Sequence, residues 1–179
     1  PAVRKELYKP VNELIKQHVP MVPLAHGAYG IVYSTAVEGA HASPLNNEEF
    51  RVMSIPGRDQ INWVQNAEPT SLYTNDETDG ESLRVGNQIF DTLYWYKLGT
   101  AELAPALAES YEVTDDLKEW TFKLRKDVKF SDGTPFDAND VVATFVAMWD
   151  AASPMHKGNT GVFEYFGGFF GGFLNAPAE

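Results

Sequence analysis

The chain has 179 residues, a net charge of −11, 44% apolar and 13% aromatic residues, and no cysteine. This length and apolar share fit one domain, or one domain with a small annex, and exclude a disordered chain. The acidic balance, with no Lys/Arg run longer than two, argues against nucleic acid or an anionic membrane as partner. Without cysteine there is no disulfide framework and no thiolate site, and His18, His26, His41 and His156 lie too far apart for a zinc pair.

Leu7, Val11, Leu14 and Ile15 recur at helical spacing and predict a helix over 3–17, with Pro10 kinking or restarting it. The proline-rich run Val19–His26 suits an irregular or edge strand, and Tyr29–Ser34 reads as a second β-rich run. Phe50–Ile55 and Ile61–Gln65 are short β-prone runs around Pro56-Gly57. That dipeptide suits the centre of a type II turn, joined as a hairpin or as a simple connection.

Thr78-Asp79-Gly80-Glu81 opens a helix expected over 80–97, capped by Thr78 or Asp79 and ended by Gly99. Residues 109–114 and 119–125 alternate around Asp115–Lys118 and predict a hairpin. Asp132-Gly133 marks a turn, and Asp137 or Asn139 caps a helix over 138–150. From Ser153 to Gly172 the chain is rich in glycine and aromatics without a period, and Tyr165–Leu174 is too short to cross a bilayer.

The run Ala106-Leu107-Ala108-Glu109-Ser110-Tyr111-Glu112-Val113, then Trp120–Phe136 (WTFKLRKDVKFSDGTPF) and Ala138-Asn139-Asp140-Val141-Val142, resembles family 5 of the extracellular solute-binding proteins. Gln88–Tyr94 (QIFDTLY) fits the helix that precedes this run in that family. Arg4–Lys9, Val19–His26, Val37-Glu38-Gly39, Ser43-Pro44-Leu45 and Glu49-Phe50 resemble the family's C-terminal end. The resemblance implies a mixed α/β fold, part of one lobe of a class II periplasmic-binding-protein-like architecture, with a mixed sheet and flanking helices.

It also implies an inverted order. Segment 1–57 resembles the family's C-terminal end and segment 58–179 its mature N-terminal end, together forming one domain with a shared hydrophobic interior. The chain is then circularly permuted and lacks the second lobe, as an engineered or excised piece would. The implied parent function is capture of a peptide or other small polar solute for an ABC importer, in the periplasm or outside the cell at the membrane. Its partners would be that solute and the permease, with no cofactor. Solute binding by this chain alone is expected to be weak or absent.

The acidic stretch 75–81 admits three readings: a solvated loop with a helix cap, a ligand-contact loop, or a calcium site without EF-hand spacing. The resemblance favours Asp76, Glu77, Thr78, Asp79 and Gly80 as ligand-contacting residues. His26 reads as a hydrogen-bonded structural residue, His156 as solvated, and Asp132 as a turn residue. Phe166, Phe169, Phe170 and Phe173 form either a buried strand and loop or an exposed patch for self-association. No metal site and no catalytic residue is expected, because G-x-S-x-G, H-E-x-x-H, P-loop and G-x-G-x-x-G motifs are all missing. The alternatives are a structural piece without ligand function and a hydrolase carrying none of these motifs.

Overall fold

The alternating runs around Asp115–Lys118 form the longest strand pair: β3 (Ala108–Val113) against β4 (Trp120–Leu124), antiparallel, with Tyr111 opposite Phe122 and Val113 opposite Trp120. The hairpin loop is tied by the Thr114 hydroxyl donating to Asp116 (2.7 Å), and by the Trp120 indole N–H donating to the Leu117 carbonyl (3.1 Å). We describe residues 2–22, 24–25, 27 and 30–176 of a computed structural model. The expected β-rich runs at 19–26 and 29–34 contain no strand among their described residues. Pro23, His26 and Tyr29 lie outside these, and with them the reading of His26.

The chain divides into two compact units, Pro1–Gly30 and Ile31–Glu179. The first unit carries α1 (Ala2–His18), which accommodates Pro10 and places an exposed Glu6–Lys9 pair on its surface (2.9 Å). Leu7, Val11, Leu14 and Ile15 follow helical spacing, and all four are exposed.

In the second unit, residues 37–58 fold back on themselves. Glu38 and Ser54 form an antiparallel bridge, and Gly39, at φ +73°, lies so close beneath the Val52 carbonyl that a Cβ would overlap it. The Ile55–Arg58 turn closes with the Arg58 N–H on the Ile55 carbonyl (3.0 Å) and Gly57 at φ +76°. This bears out the type II turn. No hairpin follows it: Phe50–Val52 is a 3₁₀ turn, and residues 61–65 form no strand.

This folded-back segment docks on α2 (Gly80–Ile89). The Gln88 side chain accepts from the Phe50 N–H and donates to the Glu48 carbonyl, both at 2.9 Å, so its amide acts as a short piece of paired strand. Glu48, fully buried, accepts from the Ser43 N–H (3.1 Å) and lies 3.7 Å from the Arg84 guanidinium, which covers the Trp63 ring.

The helix expected to reach residue 97 stops at Ile89. Phe90 turns extended, and Tyr94-Trp95-Tyr96 become β1 (Tyr94–Tyr96), paired antiparallel with β2 (Leu103–Pro105). Three consecutive aromatics suit a pleated strand better than a helix, where their χ1 freedom is lost. Gly99, expected at a helix end, instead sits at φ +69° in the hairpin between these strands. The architecture is therefore mixed α/β, but its strands form two separate two-stranded antiparallel sheets rather than one mixed sheet.

Asp137 caps α3 (Ala138–Trp149) in a capping box closed by Asp140, which suits the acidic end of the motif to the helix dipole. Asp132 accepts from the N–H (2.9 Å) and hydroxyl (2.7 Å) of Thr134 and so holds a turn, as expected. The short α4 (Glu164–Phe170) packs on α3 through Phe145 on Phe166 and Trp149 on Phe170. Phe173 packs against His156, whereas Phe169 is 80% exposed. Val142, Phe145 and Val146 leave an exposed apolar groove along α3.

The side chains buried in the second unit are as often polar as apolar. Met53, Ala108, Ala147, Met148 and Phe163 are joined by Ser43, Glu48, Glu49, Asp76, Glu77 and Ser82. Hydrogen bonding thus fixes much of this unit, and each buried polar group matters more than its size suggests.

Candidate functional site

All five residues singled out in the acidic stretch lie together, between the 3₁₀ turn Thr74–Asp76 and the first turn of α2. The turn sits close against the helix because position 86 is glycine. A Cβ there would overlap the Thr74 methyl.

Asp76 is 3% exposed, and its carboxylate is saturated by one remote loop. One oxygen accepts from the Thr160 N–H and the Gly161 N–H, both at 2.7 Å. The other accepts from the Thr160 hydroxyl (2.9 Å) and the Phe163 N–H (2.7 Å). Successive N–H groups converging on one anion form a nest, made here by residues 160–163 with Gly161 at φ +73° and Phe163 at φ 45°. Burial opposes ionisation of Asp76. The bonds from Phe163, Gly161 and Thr160 outweigh it and hold the carboxyl below its usual range.

Glu77 is also buried. One of its oxygens accepts from the Thr70 hydroxyl (2.8 Å), and the other has no hydrogen-bond partner among the described residues. Asp79 supplies the α2 cap, accepting from the Ser82 N–H (2.7 Å) and lying 2.8 Å from the same Thr70 hydroxyl, whose single proton the two carboxylates share. Burial pushes the Asp79 carboxyl up, and bonds from Ser82 and Thr70 more than compensate, so it lies below the usual carboxylate range.

The remaining two residues face the other way. Thr78 is exposed, with its carbonyl accepting from the Tyr165 hydroxyl at 3.4 Å, and Gly80 is exposed with open space where a Cβ would stand. The loop therefore presents backbone and small groups outward, while its carboxylates serve the fold. Asp76 and Asp79 accept from N–H and O–H donors, which occupy the lone pairs a cation would use. Among the described residues no group of three or more His, Asp or Glu side chains is placed to hold a metal.

Residue-by-residue reading missed Thr70, Ser82 and the Thr160–Phe163 nest. The only signal for the nest was Asn159-Thr160-Gly161, a small polar turn whose partner lies 84 residues earlier. His156, expected to be solvated, is half-buried: its ring stacks on Phe163 (4.2 Å), and Nδ1 donates to the Ala147 carbonyl (3.0 Å). The apolar groove on α3, lined by Val141, Val142, Phe145, Val146, Trp149 and Leu174, offers no polar group for a charged or peptide-like solute.

Residues 102–164 match the family model described as "Bacterial extracellular solute-binding proteins, family 5 Middle". The chain is 39% identical over 104 residues to the dipeptide-binding protein of Escherichia coli (strain K12), covering 54% of this chain and 19% of that protein. It is 41% identical over 95 residues to heme-binding protein A of Haemophilus influenzae, covering 49% and 17%. It is 37% identical over 90 residues to the nickel-binding periplasmic protein of E. coli (strain K12), covering 49% and 16%. A crystal structure of a dipeptide-binding protein from Pseudoalteromonas sp. SM9913 in complex with Met-Leu aligns at a TM-score of 0.50 and 33% identity, over 56% of this chain and 21% of that one. The chain thus spans under a fifth of the length of these curated relatives. No helix among the described residues is long and apolar enough to cross a membrane.

Proposed function

We propose that this chain, which over residues 102–164 is similar to family 5 of the bacterial extracellular solute-binding proteins, forms one wall of a solute-capturing cleft. The solute class is a peptide or another small polar molecule, delivered to an ABC importer in the periplasm or at the outer face of the cell membrane. The relatives named for dipeptide, heme and nickel binding support capture rather than chemistry.

The observation that carries this reading is the Asp76 clamp. It fixes the loop from both sides, so Thr78 and Gly80 are held outward with little freedom left to lose on binding. The α2 N-terminus beside them suits a solute carboxylate. Closure by a second lobe would supply the opposite wall and exclude water.

The inverted order of segments 1–57 and 58–179 is part of the proposal, as is self-association through Phe166, Phe169, Phe170 and Phe173, of which Phe169 and Phe170 are exposed. Docking of residues 48–50 on α2 through Gln88 supports the inverted order for the latter part of the first segment, which shares a unit with the second.

Isothermal titration with di- and oligopeptides tests the one-wall reading. Dissociation constants in the millimolar range or weaker are expected, and micromolar binding would refute it. Turnover of ester or peptide substrates in a broad hydrolase screen would replace this reading with the enzymatic one.

A further inference from the structure

We propose that His41 is a pH-sensitive latch, holding Gly39 to Glu49 within the segment that docks on α2 only while its imidazole is neutral. Nδ1 lies 2.9 Å from the Gly39 carbonyl oxygen, which has no proton to give, so Nδ1 donates. Nε2 lies 3.1 Å from the Glu49 backbone N–H and accepts from it. Both nitrogens are therefore committed, one as donor and one as acceptor. A second proton on Nε2 turns the acceptor into a donor facing an N–H.

The position of Glu49 makes this contact consequential. It lies between Glu48, whose carbonyl receives the Gln88 amide, and Phe50, whose N–H donates to it. Pushing the Glu49 N–H away from the ring strains the one residue between those two contacts. The Tyr33 hydroxyl donates to the His41 carbonyl (2.6 Å) and so holds the backbone that carries the ring.

The charged groups around the ring are engaged elsewhere. The Glu49 carboxylate faces Arg51 (2.6 Å), and buried Glu48 faces the Ser43 N–H and Arg84 of α2. On the β1–β2 hairpin, where Gly99 approaches the Ala42 carbonyl, Lys97 and Glu102 pair with each other (2.7 Å). Glu38 lies beyond Gly39, with its backbone paired to Ser54. Among ordinary side chains, imidazole is the one that changes charge between about pH 5 and 8.

Amide hydrogen exchange on the whole chain tests the latch. Protection at Glu49 and Phe50, corrected for intrinsic exchange, should fall roughly tenfold between about pH 8 and pH 5. His41→Gln, which cannot be protonated, should remove that dependence, and His156→Gln should keep it. Protection at Glu49 that ignores pH in the unsubstituted protein overturns the proposal, as does an equal loss in His41→Gln. Should His41→Gln fail to fold, imidazole ¹⁵N shifts decide instead: a proton on Nε2 at about pH 8 contradicts the latch, and one on Nδ1 alone supports it.

Discussion

The Asp76 carboxylate accepts both the backbone N–H (2.7 Å) and the hydroxyl (2.9 Å) of Thr160, a residue 84 positions later. Asp76→Ala would leave four donors without their anion and should destabilise the second unit by about 3 kcal/mol, read by urea denaturation. The folded-state pKa of Asp76 is depressed, so its stabilisation is present above the unfolded carboxyl value near ~3.9 and lost as pH falls through the lower folded value. Asp76→Ala should therefore lack this acid-side loss.

Gly86 sets local propensity against packing. Helix propensity alone has Gly86→Ala stabilising α2 by about 1 kcal/mol. A Cβ at 86 overlaps the Thr74 side chain, so the substitution should instead destabilise, by about 1–3 kcal/mol. Thr74→Ala removes the colliding atoms, and Gly86→Ala in that background should recover most of the loss in a double-mutant cycle.

The Gln88 amide is the direct tie between residues 48–50 and α2. Gln88→Ala should cost about 1–2 kcal/mol in thermal unfolding. Gln88→Glu should cost more at neutral pH, since a carboxylate cannot donate to the Glu48 carbonyl and faces it with like polarity. Gln88→Glu proving as stable as the parent protein would remove this role.

Asp79 caps α2 and shares the Thr70 hydroxyl with Glu77. Asp79→Ala should cost about 1 kcal/mol, and Asp79→Ser should restore most of it. The Asp79 pKa is also depressed, so this contribution is full above the unfolded carboxyl range and fades as pH falls through the folded value. Helical circular dichroism against pH checks both points.

The helices α1 and α3 and the β3–β4 hairpin were legible because their periodicity and caps are local properties. Phe90, Leu93 and Tyr94 continued the α2 stripe by spacing, yet the pairing of Tyr94–Tyr96 with Leu103–Pro105 outweighed it. That partner contains proline and gives little strand signal. Ile61–Gln65 had strand composition, but a strand needs a neighbour, and among the described residues none pairs with it. In the candidate site, the five residues and the Asp79 cap were readable from the acidic run. The inward direction of the Asp76 carboxylate was not, since it depends on a nest folded far along the chain.

Amide-resolved NMR during titration with a small hydrophobic dipeptide tests the solute-wall account most directly. Shift changes should concentrate at Thr78, Gly80 and the first turn of α2, and Asp76→Asn should scatter or abolish them. Changes confined to the apolar groove on α3 would contradict it.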